Sequence, residues 1–327
     1  MFKFSHIYVE SESWQYPMTR EIIARVGGQV IEIQNYKHVF NRPQQDFQVQ
    51  KHSPKLILAV KHDNYLYPGS YLSPSYGYEH FYYNTLIQNC VYNCDYCYLQ
   101  GLYNSANVVI FVNDTDFFHA VDEKLLPGNK VYLCISYDTD LLAFEKIVPY
   151  TSSWLAYATK HQNLVVELRT KSNYYSLIQH VKPSPNVILA WTVSPDEVIK
   201  KYEHKTPRFQ TRLKNMKLAI ADGWRVRLCL DPILYIENWR TLYLEMVESL
   251  FQEISAISLE DISVGVFRVN SQYLKKMRKI NDADILYYPY VKNDTFRTYP
   301  MQIEKEILDT IEKKILQYAP KEKVFLS

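Results

Sequence analysis

The stretch Asn89-Cys90-Val91-Tyr92-Asn93-Cys94-Asp95-Tyr96-Cys97-Tyr98 places three cysteines on one short segment, with the spacing C-x3-C-x2-C. Three thiolates so close in sequence can occupy three corners of a cubane iron–sulfur cluster. Most electron-transfer clusters use four cysteines, but the two other cysteines, Cys134 and Cys229, stand far from this segment. We therefore predict a [4Fe–4S] cluster on Cys90, Cys94 and Cys97, with one iron left open for a substrate or cofactor.

A zinc ion is the alternative occupant of the same thiols, with a distant histidine such as His80 as its fourth ligand. Structural zinc sites usually combine two C-x2-C halves from separate loops, and this chain has only one such half. The spacing therefore favours the cluster. The cysteine pattern also does not indicate a disulfide framework.

The composition around this segment is that of a globular protein. Of the 327 residues, 47% are hydrophobic and 22% are charged, which excludes a disordered chain. The 37 basic and 35 acidic residues give a net charge of +2, which neither requires nor excludes a nucleic-acid partner. No apolar run reaches the ~18 residues of a membrane span, and the first residues do not resemble a signal peptide. We expect a cytoplasmic protein without a membrane partner.

Apolar segments of strand length alternate with helical segments along the chain. The pattern predicts strands at 7–9, 55–60, 108–112, 130–136, 164–169, 187–192, 225–230 and 262–269, and helices at 14–26, from 114, and at 211–221, 239–254 and 303–318. Near-continuous apolar strands separated by helices are typical of a parallel sheet covered on both faces. Ligands of such sheets bind at the C-terminal ends of the strands.

The predicted fold class is therefore α/β, a partial (β/α)6 barrel with additions at both ends. We predict an N-terminal α/β subdomain over residues 1–80, the barrel over 81–270, and a C-terminal hairpin or loop and helix over 271–327. Residues 67–78, rich in Pro, Gly, Ser and Tyr, read as an irregular linker into the cysteine segment.

The cysteine segment resembles the signature of the radical S-adenosylmethionine superfamily, including the aromatic Tyr96 before the third cysteine. The resemblance implies that the open iron chelates the methionine portion of S-adenosylmethionine. It also implies that one electron, from a donor such as flavodoxin or ferredoxin, leads to a 5′-deoxyadenosyl radical that abstracts hydrogen. The protein then positions the reactants, because the cofactor carries the chemistry.

Beyond that segment, the chain resembles the spore photoproduct lyase family over nearly its whole length. The resemblance lies in the order and spacing of modest motifs, at residues 16–21, 95–100, 140–145, 170–171, 198–203 and 232–233, followed by Glu237 and Trp239. It implies repair of 5-thyminyl-5,6-dihydrothymine in DNA, a thymine dimer that the enzyme reverses to two thymines.

The same resemblance implies roles for three catalytic residues. A cysteine at a strand end donates hydrogen to the remaining thymine radical, and the stretch Cys134-Ile135-Ser136-Tyr137-Asp138 resembles the family stretch that carries it. An alignment anchored without gaps on residues 140–145 instead places Tyr137 at the donor position, and Cys134 then becomes a buried strand residue. Tyr96 and Tyr98 resemble two tyrosines that help return the radical to the cofactor.

Contacts to S-adenosylmethionine are also implied by the resemblance. Lys171 resembles a lysine that reaches the cofactor carboxylate, a charge-assisted pairing. Ser194 resembles a hydrogen-bonding position, Ser136 or Thr139 supplies a hydroxyl near the ribose, and Tyr96 lies beside the cofactor. Cys229, in the middle of an apolar strand, is expected in the core.

The DNA-binding region departs from the family pattern. The family has a basic hairpin near the C-terminus, whereas residues 287–297 here are shorter and carry only Lys292 and Arg297 as basic residues. Phosphate neutralisation normally supplies much of the affinity for DNA. Two alternatives to the repair lyase therefore stay open: a radical enzyme of the same family with another, possibly non-DNA substrate, and a non-catalytic iron–sulfur protein that binds nucleic acid.

Overall fold

The computed structural model describes residues 3–69 and 75–327, so residues 70–74 of the predicted linker lie outside the described residues. The strands are β1 (Ile7–Glu10), β2 (Val30–Ile33), β3 (Leu56–Ala59), β4 (Tyr67–Pro68), β5 (His80–Tyr83), β6 (Ile87–Gln88), β7 (Asn93–Cys94), β8 (Val108–Phe111), β9 (Val131–Cys134), β10 (Leu164–Thr170), β11 (Val187–Thr192), β12 (Glu203–His204), β13 (Arg225–Ile233), β14 (Ile262–Val266), β15 (Arg268–Asn270), β16 (Val291–Asn293), β17 (Phe296–Thr298) and β18 (Val324–Leu326).

The α-helices connect these strands on the outside of the sheets. They are α1 (Pro17–Val26), α2 (Lys37–Phe40), α3 (Phe47–His52), α4 (Leu99–Leu102), α5 (Asp114–Asp122), α6 (Tyr150–Ala158), α7 (Asp196–Tyr202), α8 (Phe209–Ala221), α9 (Trp239–Glu253), α10 (Ser271–Met277) and α11 (Met301–Ile315). Helix α1 ends where predicted, because Gly27 adopts a positive φ of 67° at its C-cap. No helix in the described part of the chain is long and apolar enough to cross a membrane.

The larger sheet is the predicted partial barrel. Its order is β18-β14-β13-β11-β10-β9-β5-β4, and β5, β9, β10, β11, β13, β14 and β18 run parallel. Parallel strands that are joined by helical connections become neighbours in one sheet, because each connecting helix packs back onto the sheet that its strand belongs to. Five of the six predicted barrel strands therefore lie side by side, and the (β/α)6 fold class is confirmed.

The predicted strand at 108–112 does not belong to the barrel. It forms β8, which pairs in parallel with β3 in a second sheet of order β2-β1-β3-β8-β6. The first barrel position is taken instead by β5, which pairs with β9 through His80 and Val131. Apolarity alone indicated that both β8 and the barrel strands are buried, but it carries no information about which strand pairs with which.

The C-terminal segment closes the barrel sheet. Helix α11 turns Ile307, Ile311 and Ile315 inward, and all three are fully buried, because residues four positions apart lie on one face of a helix. The chain then adds β18 beside β14. Strands β16 and β17 form a short antiparallel hairpin that turns at residues 294–295 and extends β15.

Candidate active site

The cysteine loop lies between β6 and α4 and is held by hydrogen bonds to its backbone. Asn93 and Cys94 form the short strand β7, which pairs antiparallel with β12. The side-chain amide of Gln100 donates to the Cys94 carbonyl at 2.7 Å. These hydrogen bonds hold the backbone of the loop and leave the cysteine side chains free to face the interior of the protein.

A buried lysine from outside the motif supports the same loop. The Lys51 ammonium donates to the carbonyl oxygens of Cys90 at 2.7 Å and Tyr92 at 2.9 Å, and the residue is only 7% exposed. Burial lowers the pKa of Lys51, although the neighbouring cysteines oppose that shift. The Lys51 ammonium is therefore held against the backbone of the cysteine loop, where its charge acts on all three thiols.

One cavity of about 220 Å³ brings the cysteine loop together with the C-terminal ends of the barrel strands. Its lining residues are Cys90, Tyr92, Cys94, Cys97, Tyr98, Leu99, Cys134, Ile135, Ser136, Tyr137, Thr139, Asp140, Glu167, Arg169, Thr170, Lys171, Thr192 and Asp231. The three cluster cysteines therefore share a cavity with four other predicted residues, Tyr98, Cys134, Ser136 and Lys171. Tyr96 and Ser194 do not line it.

Tyr96 and Ser194 instead meet at a buried carboxylate. The Tyr96 hydroxyl donates to Glu203, and the Ser194 hydroxyl donates to the same oxygen at 2.9 Å. Arg212, fully buried, pairs with the other oxygen of Glu203. Although burial raises the pKa of Glu203, the charges of Arg212 and Lys171 outweigh it and lower the pKa to about 2. The carboxylate is therefore ionised and fixes the phenol behind the third cysteine.

Tyr98 is held by a second buried carboxylate. Its hydroxyl donates to Asp138 at 2.8 Å, and Asp138 also accepts from the hydroxyls of Tyr103 at 2.8 Å and Thr85 at 2.9 Å. The Tyr137 ring lies beside Tyr98, with the ring centroids 6.1 Å apart. Burial, followed by the Asp138 charge, raises the pKa of Tyr98, which keeps its phenol protonated.

Two hydroxyls in the cavity wall have no hydrogen-bond partner in the described part of the chain. The side-chain oxygens of Ser136 and Thr139 are buried, and no described residue forms a hydrogen bond with either of them. Ser136 also adopts a left-handed φ of 53°, held by its N–H donating to the Asn84 side chain at 2.6 Å. Orphaned buried hydroxyls and a non-glycine residue in this conformation are typical of functional sites. They are suited to a polar ligand such as the ribose of an adenosyl group.

Lys171 supplies a cation to the same cavity. Its backbone N–H donates to Asp140 at 2.6 Å, which fixes the chain at the end of β10, and its ammonium lies 5.8 Å from the centre of the Tyr96 ring. Burial lowers the pKa of Lys171, but Glu203 and Cys94 outweigh it, so the pKa is raised and the ammonium stays charged. Lys171 lines the cavity, where a ligand carboxylate can pair with its ammonium. The cysteines, hydroxyls and cation together fit a cluster and S-adenosylmethionine.

Cys134 ends β9 and points into the barrel interior. It packs beside Tyr132, Val165 and Ile188, and its thiol donates to Glu167 at 3.5 Å. Burial, followed by the Glu167 charge, raises the pKa of Cys134 well above its usual range, so the group stays a thiol with a hydrogen to give. Tyr137 also lines the cavity, and therefore both candidates for the donor position lie there.

Glu167 belongs to a network of charged side chains at the bottom of the cavity. It is fully buried and accepts from Arg169 at 3.0 Å, from Arg227 and from the Tyr132 hydroxyl. Burial raises the pKa of Glu167, but Arg169 and Arg227 outweigh it and lower the pKa to about 2. Cys229, expected in an apolar core, is fully buried as predicted, but the charges of Arg169, Glu167 and Arg227 surround it.

The zinc alternative gains no support from His80. This residue starts β5 opposite Val131, whereas Tyr83 at the other end of the strand pairs with Cys134. Three strand residues rise about 10 Å, so His80 lies at the end of the sheet away from the cavity. Across residues 3–69 and 75–327, no three His, Cys, Asp or Glu side chains are grouped as ligands of a single metal ion.

The C-terminal hairpin offers few free charges. Val291, Lys292 and Asn293 are exposed, but the Arg297 guanidinium donates to the Tyr290 carbonyl at 3.3 Å. The tyrosines that precede the hairpin pack with one another, since Tyr288 and Tyr290 both contact Tyr299 at centroid distances of 5.1 and 5.2 Å. Most of the aromatic surface here is therefore used in packing.

Sequence reasoning missed the residues that hold the predicted ones. Lys51, Asn84 and Glu167 stand in stretches without a motif, and no pattern in the sequence indicated them. Asp138 and Glu203 each end a stretch that carried the family resemblance, so a search for buried acids near the motif tyrosines could have found both.

The fold and the site together define the class of protein. The protein has a partial parallel barrel, three cysteines on one loop and an open cavity at the strand ends. With these features it is a member of the radical S-adenosylmethionine class. The family model for spore photoproduct lyase matches residues 2–323, and the chain belongs to this family.

Curated relatives resemble the chain over most of its length at low identity. The spore photoproduct lyase of Geobacillus sp. (strain Y412MC61) is 20% identical over 304 residues, which cover 88% of this chain and 83% of that protein. That of Clostridium acetobutylicum is 22% identical over 79% of this chain and 76% of its own length. That of Bacillus subtilis (strain 168) is 20% identical over 88% and 82%.

Solved structures share the fold. A spore photoproduct lyase double mutant with bound AdoMet and dinucleoside spore photoproduct has a TM-score of 0.83 at 16% identity, covering 99% of this chain and 98% of that chain. A spore photoproduct lyase complexed with dinucleoside spore photoproduct has a TM-score of 0.81 at the same identity and coverage. At this identity the likeness shows the fold.

Proposed function

We propose that this protein is a radical S-adenosylmethionine carbon–carbon lyase that reverses 5-thyminyl-5,6-dihydrothymine to two thymines. The observation that carries the proposal is the shared cavity, in which the Cys134 thiol and the Lys171 ammonium line the same space as Cys90, Cys94 and Cys97. Family membership over residues 2–323 supports the same activity.

The residues that hold the cofactors follow from their chemistry. Cys90, Cys94 and Cys97 bind a [4Fe–4S] cluster, Lys171 pairs with the carboxylate of S-adenosylmethionine, and Ser136 or Thr139 bonds its ribose. Tyr96 and Ser194 support that pocket through Glu203. When bound, the two cofactors supply a 5′-deoxyadenosyl radical that takes a hydrogen atom from the substrate.

The chain then supplies a hydrogen atom to the substrate radical. Cys134 is suited to this step because it is a protonated thiol in the cavity wall. After it gives its hydrogen atom, Cys134 would regain one from the O–H of Tyr98, which lies in the same wall and is held by Asp138. Tyr98 would in turn regain its hydrogen atom from 5′-deoxyadenosine, which returns the radical to the cofactor. The substrate is a thymine dimer in DNA, and the electron comes from a separate donor protein such as flavodoxin or ferredoxin.

A dinucleotide assay tests this function. Anaerobically reconstituted protein, reduced with dithionite and supplied with S-adenosylmethionine and the dinucleotide spore photoproduct, should form 5′-deoxyadenosine and release the repaired thymidine dinucleotide. Absence of both products from protein that contains an intact cluster contradicts the proposal. Protein lacking S-adenosylmethionine is the control.

A second candidate function is favoured by Tyr137. This residue lines the cavity at the position that a gapless alignment gives to the donor, which suits a radical enzyme of the same family with another substrate. The two candidates predict different results, since 5′-deoxyadenosine without dinucleotide repair supports the second. Cys134→Ala should redirect the lyase towards aberrant radical products, whereas an unchanged product profile makes Cys134 structural.

A further inference from the structure

A basic cleft lies on a different side of α4 from the cavity. It has a volume of about 260 Å³ between residues 42–47 and the end of α10, and is lined by Arg42, Pro43, Gln44, Gln45, Phe47, Gln100, Tyr103, Asn104, Lys276, Lys279 and Ile280. Three of these side chains are cations, and no carboxylate is among them. The cleft shares no lining residue with the cavity.

The cations of this basic cleft are available to a partner. Lys276 and Lys279 are exposed, and neither ammonium has an ion pair with a described residue. They belong to residues 275–279, in which four of five positions are basic. A cluster of solvated like charges attracts an acidic partner and accelerates its association.

The floor of the basic cleft is hydrogen-bonded to the cluster loop. Gln100 is buried, and its amide nitrogen donates to the carbonyls of Cys94 at 2.7 Å and Asp95 at 3.3 Å. The Gln100 oxygen accepts from Asn281, just beyond α10, at 3.1 Å. Asn281 also donates to the Asp95 carboxylate at 3.1 Å. The Gln100 side chain therefore separates a molecule bound in the cleft from the backbone of Cys94, a cluster cysteine.

We propose that the basic cleft is the docking surface for the cluster's electron donor, a small acidic one-electron protein of the flavodoxin or ferredoxin type. The step moves one electron from the donor's reduced flavin or iron–sulfur group to the cluster, with no bond made or broken. This inference rests on the proposed function, which requires a reduced cluster. The position of the cleft favours a redox partner over a nucleic acid, because the cleft backs onto the cluster loop and is separate from the substrate cavity.

A charge-reversal pair tests the docking surface. The double variant Lys276→Glu/Lys279→Glu is compared with Lys305→Glu/Lys313→Glu, whose two lysines are exposed on α11. Both variants change the net charge by −4, from two substitutions of −2 each, so long-range steering by net charge is matched. Cluster content, measured as iron and sulfide, confirms that both variants are loaded.

The primary measurement is the rate at which reduced flavodoxin, or reduced ferredoxin in a parallel series, bleaches the cluster absorbance at low salt. The basic-cleft variant should be reduced about tenfold more slowly or worse, with a weaker salt dependence. The control variant should stay within about twofold of the wild type. Dithionite should reduce all three proteins at equal rates.

Other results separate the alternatives. Equal reduction of both variants by both donors overturns the docking surface. A loss of affinity for duplex DNA in the basic-cleft variant, with donor-driven reduction unchanged, assigns the surface to nucleic acid and also overturns it. Because cluster bleaching requires neither S-adenosylmethionine nor lesion, it tests docking even where the dinucleotide assay contradicts the proposed function.

Discussion

The two sheets of this protein are both built mainly from parallel strands, but they differ in the polarity of the side chains that they bury. In the N-terminal sheet, every residue of β3 and β8 is buried, and their side chains are uniformly apolar. In the barrel, the largely buried strands β9, β10 and β13 turn Cys134, Glu167 and Arg227 inward. Buried charges are costly unless they are paired, so the barrel interior holds a polar arrangement that folding alone does not require.

This difference indicates where selection for chemistry acts. The apolar sheet can be explained by burial, at roughly 25 cal/mol per Å² of apolar surface. The barrel interior cannot, because replacing a buried ion pair with apolar residues is often neutral or stabilising. Glu167 and Arg169 line the cavity together with Lys171. The Glu167 charge also adds to burial in raising the pKa of Cys134, which stays a thiol.

The largest expected effect comes from the cysteine loop. Cys94→Ala removes one cluster ligand and should abolish 5′-deoxyadenosine formation, while the circular dichroism spectrum of the metal-free protein stays unchanged. Iron content and product formation are the measurements. Cys229→Ala, in the barrel interior but away from the loop, is the matched control and should keep its iron. Full activity in Cys94→Ala would show that the loop does not bind the cluster.

The next largest effect is a loss of folding stability, which should differ between the barrel and the N-terminal sheet. Glu167→Gln removes the charge that pairs Arg169 and Arg227, and breaking a buried ionic network in this way typically costs about 3–5 kcal/mol. Ile57→Val in β3 removes one methylene from the apolar sheet and should cost about 1 kcal/mol. Urea unfolding of the metal-free proteins gives both values. Equal costs would mean that the charges contribute no more than ordinary packing.

The sequence predicted most of the fold, including the apolar strands of the N-terminal sheet, but it did not predict the buried charges of the barrel. Apolar runs located the strands at 55–60, 108–112 and 164–169, because strand length and burial leave a local pattern. The partner of 108–112 could not be predicted, since pairing depends on contacts between distant segments. The cysteine spacing predicted the site, but Lys51 and Glu167 were missed because a lone charge within an ordinary segment carries no signal until the fold surrounds it.

Acid should weaken the barrel more than the N-terminal sheet. The pKa of Glu167 and of Glu203 is about 2 in the folded protein, against 4.5 normally. Depressed pKa values contribute stability that is complete above pH 4.5 and is lost as the pH falls towards 2, on the order of 3 kcal/mol for each carboxylate.

Urea unfolding of the metal-free protein between pH 5 and 2 measures this loss, without a contribution from acid release of the cluster. Ile57→Val should follow the wild-type pH dependence in parallel, since it changes no titrating group. Glu203→Gln should show a flatter dependence over the same range. A variant slope equal to that of the wild type would contradict the assignment of Glu203.

The smallest expected effect concerns Lys51, a charge that the N-terminal region places against the cysteine loop. Lys51, in α3, places its ammonium on the Cys90 and Tyr92 carbonyls. Lys51→Met removes two charge-assisted hydrogen bonds and a cation that stabilises the more negative, reduced cluster. The reduction potential should fall by roughly 60 mV for each 1.4 kcal/mol of lost stabilisation, of which we expect about 1–2 kcal/mol.

Spectroelectrochemical titration of the reconstituted variant measures that potential. Lys51→Arg, which keeps the charge, should restore most of it. Lys205→Met is the control for loss of a nearby lysine, because the Lys205 ammonium donates to the Lys51 carbonyl at 2.7 Å and not to the carbonyls of the cysteine loop. If Lys51→Met and Lys51→Arg lower the potential equally, the effect arises from packing and not from charge. If Lys51→Met leaves the potential unchanged, Lys51 serves only to hold the loop, and the electrostatics of the site then belong wholly to the barrel.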